Sequence, residues 1–179
     1  PIPEAWLKEY LGGEGLAVRL FHDLVHTDAK SLDPVQPVIF ATGPLTGTAA
    51  PCSGRCCVVF LSPATGTLGA ANAGGHFAPA LKRAGCDLLV LVGRADSPTY
   101  LYINNGQVEF HDAAALWGQG VSATEDAIQA ELAVKGLQIA SIGPAGENGV
   151  LFASIMTDKH RAFGRGGPGA ALGSKRVKA

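Results

Sequence analysis

The stretch IFATGPLTGT at residues 39–48 returns as IASIGPAGEN at residues 139–148, each time as an apolar strand entering a Gly-Pro turn. A further strand follows each copy, then a glycine-rich turn, then a short helix of small residues. In the first half this is AANAGGHFAPALKRAG (70–85), in the second FGRGGPGAALGSKR (163–176), which sets Gly74-Gly75 over Gly166-Gly167. Two related halves of this size bury little core separately and must close on each other. Their approximate internal symmetry would bring the two turns into one two-sided cradle. The first half's helix leads straight into DLLVLVG, whereas the second half stops at RVKA. The repeat therefore predicts that one strand is missing there, through truncation at the C-terminus.

The 179 residues are 47% hydrophobic and 16% charged, enough for one domain or two interlocked halves. Apolar spacing predicts helices over 4–11 and 15–26, broken by Gly12-Gly13. Strands are expected at 37–43, 55–62, 86–93, 98–104 and 107–112, with Asn104-Asn105-Gly106 as a hairpin turn between the last two. A helix over 121–134, capped by Ser122 or Thr124, and strands at 136–143 and 150–157 complete the pattern. Strands outnumber helices without strict alternation. The expected fold is a single α+β domain over 1–179, a duplicated β-rich motif with mixed sheets and short helices.

A formal net charge of −1 gives no bulk attraction for nucleic acid or an anionic membrane, so any anion site must be local. The longest apolar runs, such as LLVLV (88–92), are far shorter than the roughly 18 residues a spanning helix needs. The start PIPEAWL has no basic segment leading into an apolar core, so no secretory signal is read there and a cytoplasmic location is expected. Cys52, Cys56, Cys57 and Cys86 are spaced neither like a zinc knuckle nor like iron–sulfur ligands. They read as reduced, mostly buried thiols. No Ser/His/Asp or paired-carboxylate arrangement is visible, and His76 beside a helix start reads as structural before it reads as a ligand.

The glycine-rich stretch RAFGRGGPGAALGSK (161–175) is the chemically distinctive one. Gly164-x-Gly166-x-x-Gly169 fits a dinucleotide-binding spacing, yet the polar TDKHRA precedes it where a strand should end. Gly173-Ser174-Lys175 has the wrong order for a phosphate-binding P-loop. The underlying physics still holds: glycines remove side-chain obstruction, helix-start N–H groups can face phosphate oxygens, and arginines add charge-assisted bonds. Arg161 and Arg165, four residues apart, could reach one anion. Alternatively both arginines are solvated and the glycines serve helix–sheet packing. The matching turn ANAGGHF has a cation nearby only in Arg55 of CSGRCC.

Several segments taken together carry a resemblance: IFATGPLTGTAAPCSGR, SPATGTLGAANAGGHFAPALKRAGCD, YLYI, ALWG and IASIGPAGENGVLFASIMTDKHRAFGRGGPGAALGSK. In order and spacing, from about residue 12 to the end, they resemble the N-terminal domain of the tungsten-dependent aldehyde ferredoxin oxidoreductase family. The resemblance implies an α+β base on which a tungsten (or molybdenum) ion held by two pyranopterin (molybdopterin) dithiolenes rests. By motif, it implies pterin and phosphate contacts from Arg55, Asn72, Gly74, Arg161 and Ala162, with Ala73, Gly75, Gly164, Arg165, Gly166 and Gly167 as neighbours. It also implies a magnesium ion between the pterin phosphates, ligated by the backbone carbonyls of Asn72 and Ala162. Ala73 and His76 stand where the family usually has a serine, tyrosine or similar polar residue, and Pro168 where a small aliphatic one is common. The cysteine ligands of a four-iron four-sulfur cluster and the residues nearest the metal would lie in later domains, and the family's first strand pair would precede PIPEAWL, so the resemblance implies a fragment truncated at both ends. This chain would then be the cofactor-binding floor of an aldehyde-oxidising enzyme with ferredoxin as acceptor, inactive alone, and the parent could be a homo-oligomer. A relative that reduces aromatic acyl thioesters, or a folded fragment that binds nothing by itself, are the alternatives.

Overall fold

Strands β1 (Val38–Thr42) and β2 (Cys56–Leu61) are apolar except for the buried Thr42, which suits strands covered on both faces. They form the centre of a four-stranded antiparallel sheet, in the order β3-β2-β1-β4, with β3 at Leu68–Ala73 and β4 at Leu88–Leu91. The computed structural model describes residues 2–179. Helix α1 (Glu4–Tyr10) precedes α2 (Gly13–Leu24), which lays Ala17 and Phe21 on Ile39, Ala41, Cys57 and Val59. The opposite face of the sheet meets α3 (Phe77–Arg83) and the second half of the chain.

A hairpin, β5 (Thr99–Asn104) and β6 (Gln107–Asp112), separates the halves. Its ladder closes on Asn105 (φ 49°) and Gly106 (φ 73°), a two-residue loop with both residues left-handed, as the Asn-Gly signal predicts. The second half comprises α4 (Val121–Leu132), β7 (Ala140–Ser141), the short α5 (Pro144–Glu147), β8 (Ile155–Thr157), β9 (Arg161–Phe163) and α6 (Pro168–Ser174). β7, β8 and β9 form an antiparallel sheet in that order. The main core lies between the two sheets, where Phe40, Phe77 and Phe163 meet edge to face at 5.7–6.5 Å.

The duplication is visible in backbone register. The rung Ala41–Cys57–Asn72 in the first sheet corresponds to Ser141–Met156–Ala162 in the second. At the end of α3, the Cys86 and Gly85 N–H groups donate to the Leu81 and Lys82 carbonyls. After α6, those of Val177 and Arg176 donate to Leu172 and Gly173 in the same pattern. Phe77 thus corresponds to Pro168 and Gly75 to Gly166, one residue off the pairing expected from sequence. The rungs align Gly74 with Gly164, so Arg165 is an extra residue in the second turn.

Four other expectations change. The strands predicted over 136–143 and 150–157 shrink to Ala140–Ser141 and Ile155–Thr157. β3 and β9 run through stretches read as turn, so Asn72, Ala73, Arg161 and Ala162 stand on strands. Gly120 rather than Ser122 or Thr124 precedes α4, and Thr124 is fully buried within it. The strand expected to be missing after α6 is already begun. Thr42 N–H donates to the Asp87 carbonyl entering β4, and Ile142 N–H donates to Lys178 in the same way. Residues 176–179 also bond to β5, through Thr99 N–H to Arg176 and Leu101 N–H to Ala179.

Two buried lysines hold this end of the chain. Lys178 pairs with Glu147 and donates to the Gln119 carbonyl, and Glu147 also accepts the Gly118 N–H. Lys175 donates to the carbonyls of Pro34 (2.5 Å) and Gln36 (2.7 Å). Burial pushes Lys175 down to about 8 from 10.5, with Asp33 opposing only partly. Below pH about 8 both folded and unfolded chains hold this proton, and the burial cost is felt in full. Between about 8 and 10.5 the folded state binds fewer protons, so stability rises with pH. Urea midpoints of the wild type should therefore climb across that window relative to Lys175→Met.

Candidate functional site

β3 ends in Gly74-Gly75 and β9 in Gly164-Arg165-Gly166-Gly167, and β3 lies beside β9. The two turns are neighbours. Gly75 adopts φ 110°, and a Cβ there would overlap the Asp158 carboxylate and come within 3.3 Å of Arg161 Cγ. Arg55, just before β2, borders the same turn, its Cγ 3.9 Å from where a Gly74 Cβ would sit. The first half's turn thus touches Arg55 of its own half at Gly74, and Asp158 and Arg161 of the other at Gly75.

The glycines divide by physical role. Gly75, Gly166 and Gly167 have positive φ, and a Cβ on Gly167 would collide with the Leu151 carbonyl. Gly166 lies against Phe60 and Ser62, and its carbonyl accepts the Ser62 hydroxyl at 2.7 Å. These contacts give the three glycines a packing role. Gly74 and Gly164 differ: neither has positive φ, and a Cβ on either would meet protein only at 3.8 Å or beyond. Their missing side chains leave room on the outside of the protein. Gly75→Ala is expected to cost about 1–3 kcal/mol through backbone strain and displacement of Asp158, read by chemical denaturation.

Around this opening Arg55, Asn72, Arg161, Ala162, Gly164 and Arg165 are all exposed. Arg55, Arg161 and Arg165 form no ion pair among the described residues. Three free guanidinium groups and two side-chain-free backbone positions make a surface suited to a phosphate-bearing ligand. The helix starts contribute less than the sequence suggested. The His76 N–H entering α3 is already taken by Asp158 Oδ2 at 2.9 Å, and the Gly169 N–H of α6 by the Ala153 carbonyl at 2.8 Å.

Two residues escaped the sequence reading. Glu14, in the first turn of α2, accepts from Asn72 Nδ2 at 2.9 Å and orients that side chain. Asp158 joins the halves through His76, and the only hint was its place in the TDKHRA segment. Among the cysteines, burial pushes Cys56 and Cys57 up to about 12, which keeps both as thiols. Cys86 is raised in the same way, whereas Cys52 is exposed. No helix among the described residues is long and apolar enough to cross a membrane.

Fold and surface together define a domain of duplicated α+β halves that meet at one glycine-and-arginine cradle. The chain belongs to the aldehyde ferredoxin oxidoreductase family: the family's N-terminal domain pattern matches residues 1–179. It is 50% identical over 179 residues to the tungsten-containing aldehyde ferredoxin oxidoreductase of Pyrococcus horikoshii, covering 98% of this chain and 29% of that protein. It is 33% identical to an aliphatic sulfonate oxidoreductase, WOR-like subunit, of Pyrococcus furiosus, covering 99% of this chain and 31% of that one. Among solved structures, the active site complex BamBC of benzoyl coenzyme A reductase with 1,5 dienoyl-CoA superposes with a TM-score of 0.94. That match has 39% identity over 98% of this chain and 27% of the other. The chain thus spans under a third of the length of these relatives.

Proposed function

We propose that this chain is the cofactor-holding domain of an oxidoreductase that oxidises aldehydes to carboxylic acids, with ferredoxin as electron acceptor. The cofactor would be a tungsten bis-pyranopterin, with magnesium as a companion ion. The observation that carries this reading is the open surface at Gly74 and Gly164, equivalent positions of the two repeats, with unpaired Arg55, Arg161 and Arg165 around it. A ligand with two similar halves matches a site with two similar halves.

The residues present fit such a group. Arg55 and Arg161, both beside the Gly74-Gly75 turn, would neutralise phosphate with bidentate bonds, and Arg165, the residue added to the second turn, would supply further charge. The backbone carbonyls of Asn72 and Ala162, on corresponding rungs, would offer oxygen ligands suited to a hard cation such as magnesium. Ala73, Gly75, Gly166 and Gly167 would hold the two turns in shape. When bound, the group supplies oxidation–reduction at its metal, and the domain supplies orientation and charge. The four-iron four-sulfur cluster ligands and the substrate channel would belong to the rest of the parent enzyme. Cytoplasmic location and self-association of the parent are part of the same reading.

A second reading, reduction of an aromatic acyl thioester, draws on the likeness to the benzoyl coenzyme A reductase complex. Identity of 48–50% to four aldehyde oxidoreductases against 39% to that complex favours the aldehyde. Tungsten and pterin content of the purified full-length enzyme tests the main proposal, and absence of tungsten, molybdenum and pterin would overturn it. Gly164→Leu should fold like the wild type, since the position is exposed and a Cβ there makes only ordinary contacts with Ala162 and Ser154, yet lose pterin. Full pterin content in that variant would exclude Gly164 from the site.

A further inference from the structure

The duplication gives each residue at one glycine turn a counterpart at the other. Cys56 stands opposite Ala73 in the first sheet and Ile155 opposite Phe163 in the second. One step beyond, Arg55 faces Gly74 and Ser154 faces Gly164. The contacts agree: a Cβ on Gly74 would lie 3.9 Å from Arg55 Cγ, and one on Gly164 4.0 Å from Ser154 Oγ. A hydroxyl thus stands in the second half where the first has a guanidinium. α6 fixes its main chain, since the Gly169 N–H donates to the Ala153 carbonyl at 2.8 Å and a Gly169 Cβ would overlap the Ser154 carbonyl. The hydroxyls of Ser53, Ser62 and Ser174 bond within the protein at 2.7–2.9 Å. That of Ser154 has no partner among the described residues, and it reaches solvent.

We infer that Ser154 is a binding residue for the second half of the ligand, its hydroxyl donating to an anionic oxygen at the Gly164 opening. This rests on the proposed cofactor-holding function and adds a contact to it. Charge is divided unequally between the turns: Arg55 lies at Gly74 and Arg161 at Gly75, whereas Gly166, the counterpart of Gly75, meets Phe60 and Ser62. Arg165 brings the second turn a cation of its own, but from an inserted position. A neutral donor at Ser154 therefore fills the place that charge holds in the first half. Its reach is short: a serine hydroxyl contacts only a group that comes down onto Gly164, where no side chain keeps the ligand off the backbone. The first half grips by charge, and the second by close approach. A hydrogen bond to a charged oxygen is stronger than a neutral one, so a single hydroxyl contributes measurably to retention.

Release of pterin from the full-length enzyme, read by the fluorescence of oxidised pterin during dialysis, tests it. Ser154→Ala should release pterin about tenfold faster than the wild type, the effect of one hydrogen bond to a charged group. Its circular dichroism should not change, since the hydroxyl has no protein partner to lose. Ser154→Thr keeps the donor and should release pterin at close to the wild-type rate. Wild-type release from Ser154→Ala overturns the inference and leaves the proposed function standing. Equal acceleration in Ser154→Ala and Ser154→Thr also overturns it, since the hydroxyl would then not be the contact. A wild-type enzyme purified without pterin removes the proposed function and this inference together.

Discussion

Replacing Arg55 and Arg161 together with alanine should leave the full-length enzyme folded and strip it of pterin and tungsten. Both side chains are exposed and unpaired, so their loss uncovers no buried partner and should shift stability by less than about 0.5 kcal/mol. Each charge-assisted bond to phosphate is worth about 1.5–3 kcal/mol, so each arginine contributes roughly tenfold or more in affinity. Metal analysis and fluorescence of the released pterin should show content reduced at least about tenfold after extensive dialysis. The Arg→Lys pair should fall between, because lysine keeps the charge and loses the fork geometry. Wild-type pterin content in the double alanine variant would exclude both residues from the site.

Lys178→Met should be among the most destabilising single changes in the domain. Its ammonium group is fully buried, and Glu147, 3% exposed at its side chain, would be left with a negative charge answered only by the Gly118 N–H. Breaking one side of such a pair costs about 3–5 kcal/mol. For a domain of this size that corresponds to a melting point lower by roughly 6–20 °C. Adding Glu147→Gln should recover much of the loss, because the uncompensated charge disappears while a side-chain acceptor for Gly118 remains. Equal stability of the single variant and the wild type would show that the pair contributes nothing to folding.

The division between legible and illegible follows from what a side chain reveals about its backbone. VIFAT and CCVVFL read as strands because both faces are buried and every position but Thr42 is apolar. LGAANA and RAF do not, since small or polar residues beside glycine carry no strand periodicity, and only pairing with β2 and β8 extends them. The caps of α4 were misplaced for a related reason. Ser122 and Thr124 have the right chemistry, yet tertiary burial draws Thr124 into the helix interior. Within the site, Arg55, Arg161 and the glycines were visible as motif residues, but Glu14 and Asp158 were not. Their partners lie 58 and 82 residues away in the chain.

By itself the sequence determined the duplication, the α+β class, the family, and the two turns that had to meet. Repeated apolar and glycine patterns survive as text because each copy must bury the same face. Only the tertiary structure decided which glycines are packing devices and which leave a surface open, because that depends on atoms from the other half of the chain. It also decided that the residues after α6 begin a strand instead of lacking one, since RVKA has no strand signal of its own. Its place is set by the carbonyls and N–H groups of Thr99, Leu101 and Ile142, which receive it.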